Sequence, residues 1–178
     1  MEDPTSFASD PARIARLLGA TEATVASELR ALGADGAAWR PAPGEWCANE
    51  VVGHLAEAER RGFAGRIRLI LDEANPALED WDEPAVAAAR GDCAKPVEDL
   101  LAEFLPLRAH SIALVQRLTR ADLARRGRHP AVGDLTVEML LAEWVHHDRN
   151  HVRQLLAIGQ GLAWPAMGNA RRFSDPNA

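Results

Sequence analysis

Apolar residues recur every three or four positions in four long stretches of the chain, and this spacing predicts four helices. The predicted helices cover about residues 10–32, 47–72, 96–118 and 136–158. Segments rich in proline and glycine separate them. Pro106 lies inside the third helix and is expected to kink or interrupt it, and Gly159 is expected to end the fourth. Four helices of similar length predict an all-α four-helix bundle.

The connection between the second and third helices is long enough to cross over one end of the bundle. It reads EANPALEDWDEPAVAAARGDCAK, and the part EPAVAAAR is predicted to form a short helix. We place the bundle domain at residues 1–160 and expect residues 161–178 to form an extended C-terminal tail, pinned by Trp164 and Phe173.

Two helix starts carry capping signals. Cys47 stands where a capping box has Ser or Thr, and Glu50 follows three residues later. Asp134 or Thr136 is expected to cap the fourth helix. A thiol at a helix N-terminus has favoured thiolate character, so a reactive role for Cys47 is an alternative to capping. Cys47 and Cys93 form no close pair or ligand motif in the sequence, and a reducing cytoplasm is the expected location.

Composition and charge exclude several classes of function. The chain has 178 residues, 47% of them hydrophobic, with a net charge of −6 and a pI near 5.5. Repulsion from polyanions argues against nucleic-acid binding, and the basic stretch over residues 117–129 is interpreted as a solvated helix end and loop. No apolar run is long enough to cross a membrane. The acidic N-terminal sequence does not resemble a signal peptide.

Three histidines lie on the predicted buried faces of two helices. His147 and His151 are four residues apart on one stripe, so their rings are about 6 Å apart along the helix axis. His54 lies among the apolar residues of the second helix, whereas His146 is rotated about 100° away from the stripe. One divalent ion would satisfy all three buried rings and would keep an open coordination position, which is typical of a reactive site.

Two other metal motifs fit the sequence poorly. HDRNH is similar to the zincin motif, but Asp148 replaces the glutamate base and no histidine or glutamate follows His151. A di-iron bundle needs two Glu-x-x-His pairs, and only Glu143 with His146 has that spacing.

Two segments resemble the DinB-like (DinB/YfiT) family of four-helix-bundle metalloproteins. They are WRPAPGEWCANEVVGHLAEAE, from Trp39, and HPAVGDLTVEMLLAEWVHHDRNHVRQL, from His129. The resemblance implies a divalent metal, commonly zinc or nickel, bound by His54, His147 and His151. It also implies a homodimer and a small-molecule reaction in stress response or detoxification, either hydrolysis or transfer of a thiol such as bacillithiol or mycothiol. Cys47 departs from the usual cap hydroxyl of the family.

Several acidic residues are candidates for supporting roles. Glu143 or Glu50 could hydrogen-bond a ligand ring, although capping is the preferred role of Glu50. Glu57 could act on a bound water, with a solvated helix face as the alternative. The crossover segment EDWDE, residues 79–83, could cover the metal, and the alternative is that Trp81 simply anchors that loop. Three hypotheses therefore stay open: a metal-dependent enzyme, a non-catalytic metal-binding stress protein, and a bundle with structural histidines.

Overall fold

Four long helical segments lie side by side and form the all-α bundle that the hydrophobic spacing predicts. The computed structural model describes residue 7 and residues 9–175. The bundle segments are α1 (Pro11–Ala38), α2 (Ala48–Glu57) continued by α3 (Ala64–Asp72), α5 (Val97–Gln116) and α7 (Val137–Ala163). The shorter helices are α4 (Glu83–Arg90), α6 (Arg120–Leu123) and α8 (Arg171–Ser174). The fold class and the short helix predicted in the crossover are confirmed.

Side chains at the helix starts explain where the bundle helices begin. The Asp10 carboxylate accepts the Arg13 backbone N–H at 3.1 Å, and the Thr136 hydroxyl accepts that of Met139 at 3.1 Å. The Glu50 carboxylate accepts the Cys47 backbone N–H at 3.0 Å, which is half of a capping box. Thr136, and not Asp134, is therefore the cap of α7.

The second predicted helix is interrupted by one π-helical turn, Ala58–Gly62, between α2 and α3. The Phe63 N–H donates to the Ala58 carbonyl at 2.8 Å, the five-residue spacing of a π turn. Glu59 in this turn is 1% exposed. A carboxylate is thus placed in the interior within a helical run, and regular α-helical periodicity does not predict such a turn.

The crossover docks along one stripe of α2, formed by Asn49, Gly53 and Glu57. The Asn49 amide donates to the backbone carbonyls of Cys93 and Lys95 at 3.2 and 3.1 Å. A Cβ on Gly53 would lie 1.8 Å from the Asp92 carboxylate, so only glycine leaves room for that side chain. The Arg90 guanidinium donates to Glu57 at 2.7 Å. Because the bundle covers the other side, α2 is buried almost all round.

A short antiparallel hairpin, β1 (Arg126–His129) and β2 (Gly133–Thr136), precedes α7. The start of the crossover joins it, since the Leu78 N–H donates to the Arg128 carbonyl at 2.9 Å and the Arg128 N–H donates to the Pro76 carbonyl at 2.8 Å. The expectation that residues 117–129 form only a helix end and loop was therefore wrong. The two strands have four residues each and no apolar alternation, so their sequences do not predict them.

The apolar interior consists of two clusters along the bundle. One lies around Trp144 and Phe63, and the other lies around Leu55, Phe104 and Leu155. Among the described residues, no helix is long and apolar enough to span a membrane.

Three local expectations are corrected. Helix α5 continues through Pro106, where both Pro106 and Ala102 are exposed, so the carbonyl that loses its partner faces water. Helix α7 continues past Gly159 to Ala163. The segment after it is helical, with a 3-10 stretch (Trp164–Ala170) followed by α8, and is not extended. Phe173 is 94% exposed and pins nothing.

Candidate metal centre

His54 from α2 and His147 and His151 from α7 converge on one point, as the sequence predicts. One ring nitrogen from each lies within 4.8 Å of the other two. The Nε2 atoms of His54 and His147 are 2.9 Å apart, and the ring centroids of His147 and His151 are 4.5 Å apart. His54 is 4% exposed, whereas the other two are partly exposed. The cluster is therefore closed on the bundle side and open on one side.

Aromatic side chains surround the three rings. Trp46 lies 5.1 Å from His54 and 6.3 Å from His151, measured between ring centroids. Trp81, in the crossover, stacks on His54 at 5.8 Å, and Phe63 contacts His147 edge-on at 5.1 Å. These aromatic side chains pack against the rings and restrict their orientation. The crossover thus places one of its side chains, Trp81, against the histidine cluster.

The environment keeps His54 and His151 neutral near pH 7. Burial, followed by the neighbouring His151 and His147 rings, lowers the pKa of His54 to about 3. Burial, followed by His147, lowers the pKa of His151 to about 4. The Gln154 side-chain oxygen lies 3.0 Å from Nδ1 of His151. It accepts the Nδ1–H and leaves Nε2 free as a ligand.

A buried ionic layer lies directly behind His147. Asp148, the next residue, is 1% exposed and accepts two hydrogen bonds from Arg108 of α5, at 2.5 and 3.0 Å. Arg108 also lies 2.6 Å from the Glu59 carboxylate. Burial raises the pKa of Asp148, but the Arg108 charge, together with hydrogen bonds from His147 and Arg108, outweighs burial and lowers the pKa to about 2. Burial raises the pKa of Glu59. Asp148 is therefore the ionised partner of Arg108.

The carboxylates predicted for supporting roles lie in different places. Glu143 is exposed and lines a cavity beside His147, without a hydrogen bond to a ligand ring. Glu50 caps α2 and binds Arg40 at 2.6 Å, so the capping role is confirmed. Glu57 is 5% exposed and binds Arg60, Arg61 and Arg90. The expectation of a solvated helix face was therefore wrong, and a role of Glu57 toward a bound water stays a prediction.

The cysteines also differ from expectation. Burial, followed by a hydrogen bond with Cys93, raises the pKa of Cys47 to about 12, so it has no thiolate character at neutral pH. Cys93 lies close to it, because their sulfur atoms and a Glu50 oxygen are all within 4.8 Å of one another. The interpretation that the two cysteines form no pair was wrong, since the crossover brings Cys93 back to the start of α2.

A cavity of about 550 Å³ opens beside His147. Its volume is in the range of small-molecule sites. Its walls combine apolar side chains from several parts of the chain with polar groups that include Arg66, whose guanidinium contacts Nε2 of His129 at 3.1 Å. Lining residues include Phe63, Arg66, Trp81, His129, Leu135, Leu140, Glu143 and His147.

Sequence reasoning found the three histidines and missed most of the polar residues around them. Gln154 has a local signal, because it lies one turn after His151 on the same helix. Arg108 and Asp148 carried another signal, since each is charged at a position that helical spacing places inside. Glu59 and the Cys47–Cys93 pair had none, because a π turn and a long crossover create them.

Comparison with known proteins gives a consistent result. The DinB superfamily model matches residues 17–155. A Geobacillus kaustophilus protein is 29% identical over 68% of this chain and 68% of its own length. An Oceanobacillus iheyensis protein is 24% identical over 68% of this chain and 69% of its own length. Both are named "putative metal-dependent hydrolase".

A solved structure shares the fold. YfiT from Bacillus subtilis, described as a probable metal-dependent hydrolase with an unusual four-helix bundle topology, superposes with a TM-score of 0.77. The alignment covers 88% of this chain and 89% of YfiT at 23% identity. At that identity the likeness establishes the fold alone.

Proposed function

This chain belongs to the DinB superfamily, and from that premise we propose that it is a metal-dependent hydrolase whose divalent ion is held by His54, His147 and His151. The observation that carries the proposal is the convergence of three ring nitrogens within 4.8 Å beside a cavity of about 550 Å³. The names of the relatives support it as well.

The donor set fits a divalent ion of the zinc type. Zinc–nitrogen bonds of about 2.0–2.1 Å in a tetrahedral site place ligand nitrogens roughly 3.3 Å apart. The 2.9 Å between Nε2 of His54 and Nε2 of His147 is close to this value. Two neutral imidazole nitrogens that face each other need a shared proton or a shared cation, and the third ring favours the cation. Zinc and nickel are the ions we propose.

A divalent ion bound by three neutral nitrogens would lower the pKa of a coordinated water or thiol and would polarise a carbonyl group. The residues of this chain supply the rest. Phe63, Leu135 and Leu140 would bind the apolar part of a substrate, and Arg66 would bind a polar end. Glu143, at the wall of the same cavity, is the candidate that would accept a proton from the nucleophile.

Thiol transfer is the second candidate reaction, and the cavity volume is the observation that favours it. Hydrolysis needs room for one substrate and a water, whereas about 550 Å³ also accommodates part of a low-molecular-weight thiol. Bacillithiol and mycothiol are the thiols proposed. Hydrolysis stays the first candidate because the named relatives carry that activity in their names.

Metal analysis of protein purified without a histidine tag tests the binding site. We expect about one equivalent of zinc or nickel per chain, and an affinity lowered by more than about 100-fold in His151→Ala. The matched control is His146→Ala, because His146 is exposed and contacts only Asn150 at 3.3 Å among its hydrogen-bonding neighbours in the described residues. Less than a tenth of an equivalent, with no binding on titration, refutes the metal site.

Activity assays distinguish hydrolysis from thiol transfer and from metal binding without catalysis. Metal-loaded wild type is compared with His151→Ala and His146→Ala in hydrolysis of a panel of aryl esters, and in conjugation of an electrophile with bacillithiol or mycothiol. The proposal expects ester turnover that falls at least about 100-fold in His151→Ala and is unchanged in His146→Ala. Conjugation without hydrolysis selects the second candidate, and a loaded protein inactive in both assays supports the non-catalytic alternative.

A further inference from the structure

The Cys47–Cys93 pair lies outside the histidine cluster and has no role in the proposed hydrolysis. Cys47, the residue before α2, is fully buried. Cys93 lies in the 3-10 turn Asp92–Ala94 and is partly exposed. Its thiol donates to the Ala38 carbonyl at 3.3 Å. The two sulfur atoms lie within 4.8 Å of each other, whereas a disulfide needs about 2.05 Å.

Backbone docking on both sides of Cys93 holds the two thiols together. The Asn49 amide binds the carbonyls of Cys93 and Lys95 at 3.2 and 3.1 Å, and Asp92 fills the space above Gly53. These contacts join the end of the crossover to the first two turns of α2. The sulfurs are therefore neighbours because these contacts hold the two backbone segments against each other.

The charges around the pair argue against a second metal site. A Glu50 oxygen is the third potential ligand atom, but that carboxylate already accepts the Cys47 N–H at 3.0 Å and the Arg40 guanidinium at 2.6 Å. A cation would displace the helix cap and would face the positive charge of Arg40. Two thiols remain, and their common chemistry is oxidation to a disulfide.

We propose that Cys47 and Cys93 form a reversible disulfide that fastens the crossover to the start of α2, with a low-molecular-weight disulfide as the oxidant. The thiolate of Cys93, the accessible partner, attacks the oxidant, forms a mixed disulfide and releases one thiolate. The Cys47 sulfur then gives up its proton and attacks the Cys93 sulfur, so that the Cys47–Cys93 bond forms and the second thiolate leaves. The chain loses two electrons and two protons, and the oxidant becomes two thiols.

The bond would act on the segment that covers the histidine cluster. Trp46 precedes Cys47 and contacts His54 and His151, and Trp81 in the crossover stacks on His54. The crossover is already bonded to β1 at its start, through Leu78 and Arg128. Oxidation would add a covalent bond at its other end, which until then is held by the contacts of Asn49 and Asp92, so that the aromatic cover is fastened more firmly.

The test incubates the full chain, purified without a reductant, in glutathione redox buffers of increasing oxidised fraction. We expect the intact mass to fall by two hydrogens and a non-reducing digest to yield the peptide that joins Cys47 to Cys93. The melting temperature should rise by roughly 5–15 °C, because the bond closes the long loop over residues 47–93. Dithiothreitol should reverse both changes.

The matched control is Cys93→Ser, which keeps a donor for the Ala38 carbonyl and leaves buried Cys47 in place. It should show neither the mass loss nor the rise in melting temperature under the same buffers. Glutathione adducts that persist on a folded wild-type chain, disulfides between chains, or a pair that stays reduced in fully oxidised buffer would each overturn the proposal. The proposal would also be overturned if wild type retained a metal ion that Cys93→Ser loses, and if that ion protected the two cysteines against oxidation. None of these readouts depends on hydrolysis or on metal at the histidines.

Discussion

Replacement of Asp148 by asparagine tests whether this residue supports the fold or the chemistry. The position corresponds to the glutamate base in the zincin-like spacing HDRNH, yet its carboxylate binds Arg108 through two hydrogen bonds. Both residues are at most 1% exposed. Asparagine keeps the size and one oxygen acceptor, so the substitution removes mainly the negative charge that compensates a buried guanidinium.

The expected loss of stability is about 3 kcal/mol. The pKa of Asp148, lowered to about 2 from 3.8, corresponds to roughly 2–3 kcal/mol of preferential stabilisation of the charged form. Removing one partner of a buried pair typically costs about 3–5 kcal/mol. Glu59 limits the loss, because the charge of Asp148 contributes to its raised pKa and it can ionise beside Arg108 once that charge is gone.

Urea denaturation of metal-free protein at pH 7 measures the effect. Asp148→Asn should lower the free energy of unfolding by about 3 kcal/mol, whereas Asp134→Asn, at an exposed residue 3.8 Å from Arg126, should change it by less than about 0.5 kcal/mol. Because the folded-state pKa of Asp148 is depressed, its contribution is present above pH 3.8 and disappears as the pH falls toward 2.

A double-mutant cycle with Glu59→Gln tests the compensation directly. With both acids neutral, Arg108 has lost both carboxylates that contact it among the described residues, and the combined loss should exceed the sum of the single losses by about 1–3 kcal/mol. A destabilisation below about 1 kcal/mol in Asp148→Asn, or strictly additive losses, would refute this account of the layer.

Three further predictions concern the histidine cluster, the docked crossover and the cavity. Because the pKa of His54 falls from 6.5 to about 3 on folding, metal-free protein should lose about 2 kcal/mol of stability between pH 6.5 and 5 through this residue; urea titrations should show that His54→Leu lacks this part of the decline. Gly53→Ala places a Cβ 1.8 Å from the Asp92 carboxylate and should destabilise the chain by about 1–3 kcal/mol, whereas an unchanged melting temperature would mean that the crossover does not dock there. Glu143→Gln should lower kcat of metal-loaded protein by about 10²–10⁴-fold with metal content unchanged, and full activity would remove Glu143 as a proton acceptor.

The sequence predicts the bundle and the ligand set because both depend on regular helical spacing. His147 and His151 are four residues apart, so any helix places them on one face, and His54 lies on an apolar face that must turn inward. Helical spacing also predicts that the first helix ends near Leu32. The structure has a break in regular helical geometry at the next residue, because Gly33 has a positive φ of 64° within α1. The helix positions and buried faces predicted from periodicity therefore agree with the structure, except at the π turn that interrupts the second helix.

Features that depend on a break in that spacing, or on contacts between distant segments, could not be predicted in this way. The π turn moves Glu59 inside, and the crossover brings Arg90 to Glu57 and Cys93 to Cys47. The strands of the hairpin are recognised by their pairing and not by their sequences. The homodimer, the cytoplasmic location and the boundary at residue 160 stay predictions.

The buried ionic layer also explains how two helices keep the rings of His54, His147 and His151 directed toward one point. A ligand on α7 moves with any rotation of that helix about its own axis, and hydrogen bonds to a buried ion pair resist such rotation in addition to the apolar packing. The two hydrogen bonds from Arg108 fix the Asp148 side chain, and the backbone of His147 is bonded covalently to that residue. Arg108 contacts Glu59 in the turn that continues the helix of His54. One guanidinium thus links both ligand-bearing helices, so Asp148→Asn should weaken zinc binding although Asp148 is not a ligand. Isothermal titration of the folded variant should show a loss of about 10-fold or more, and an unchanged affinity would mean that the layer stabilises the bundle without positioning the ligands.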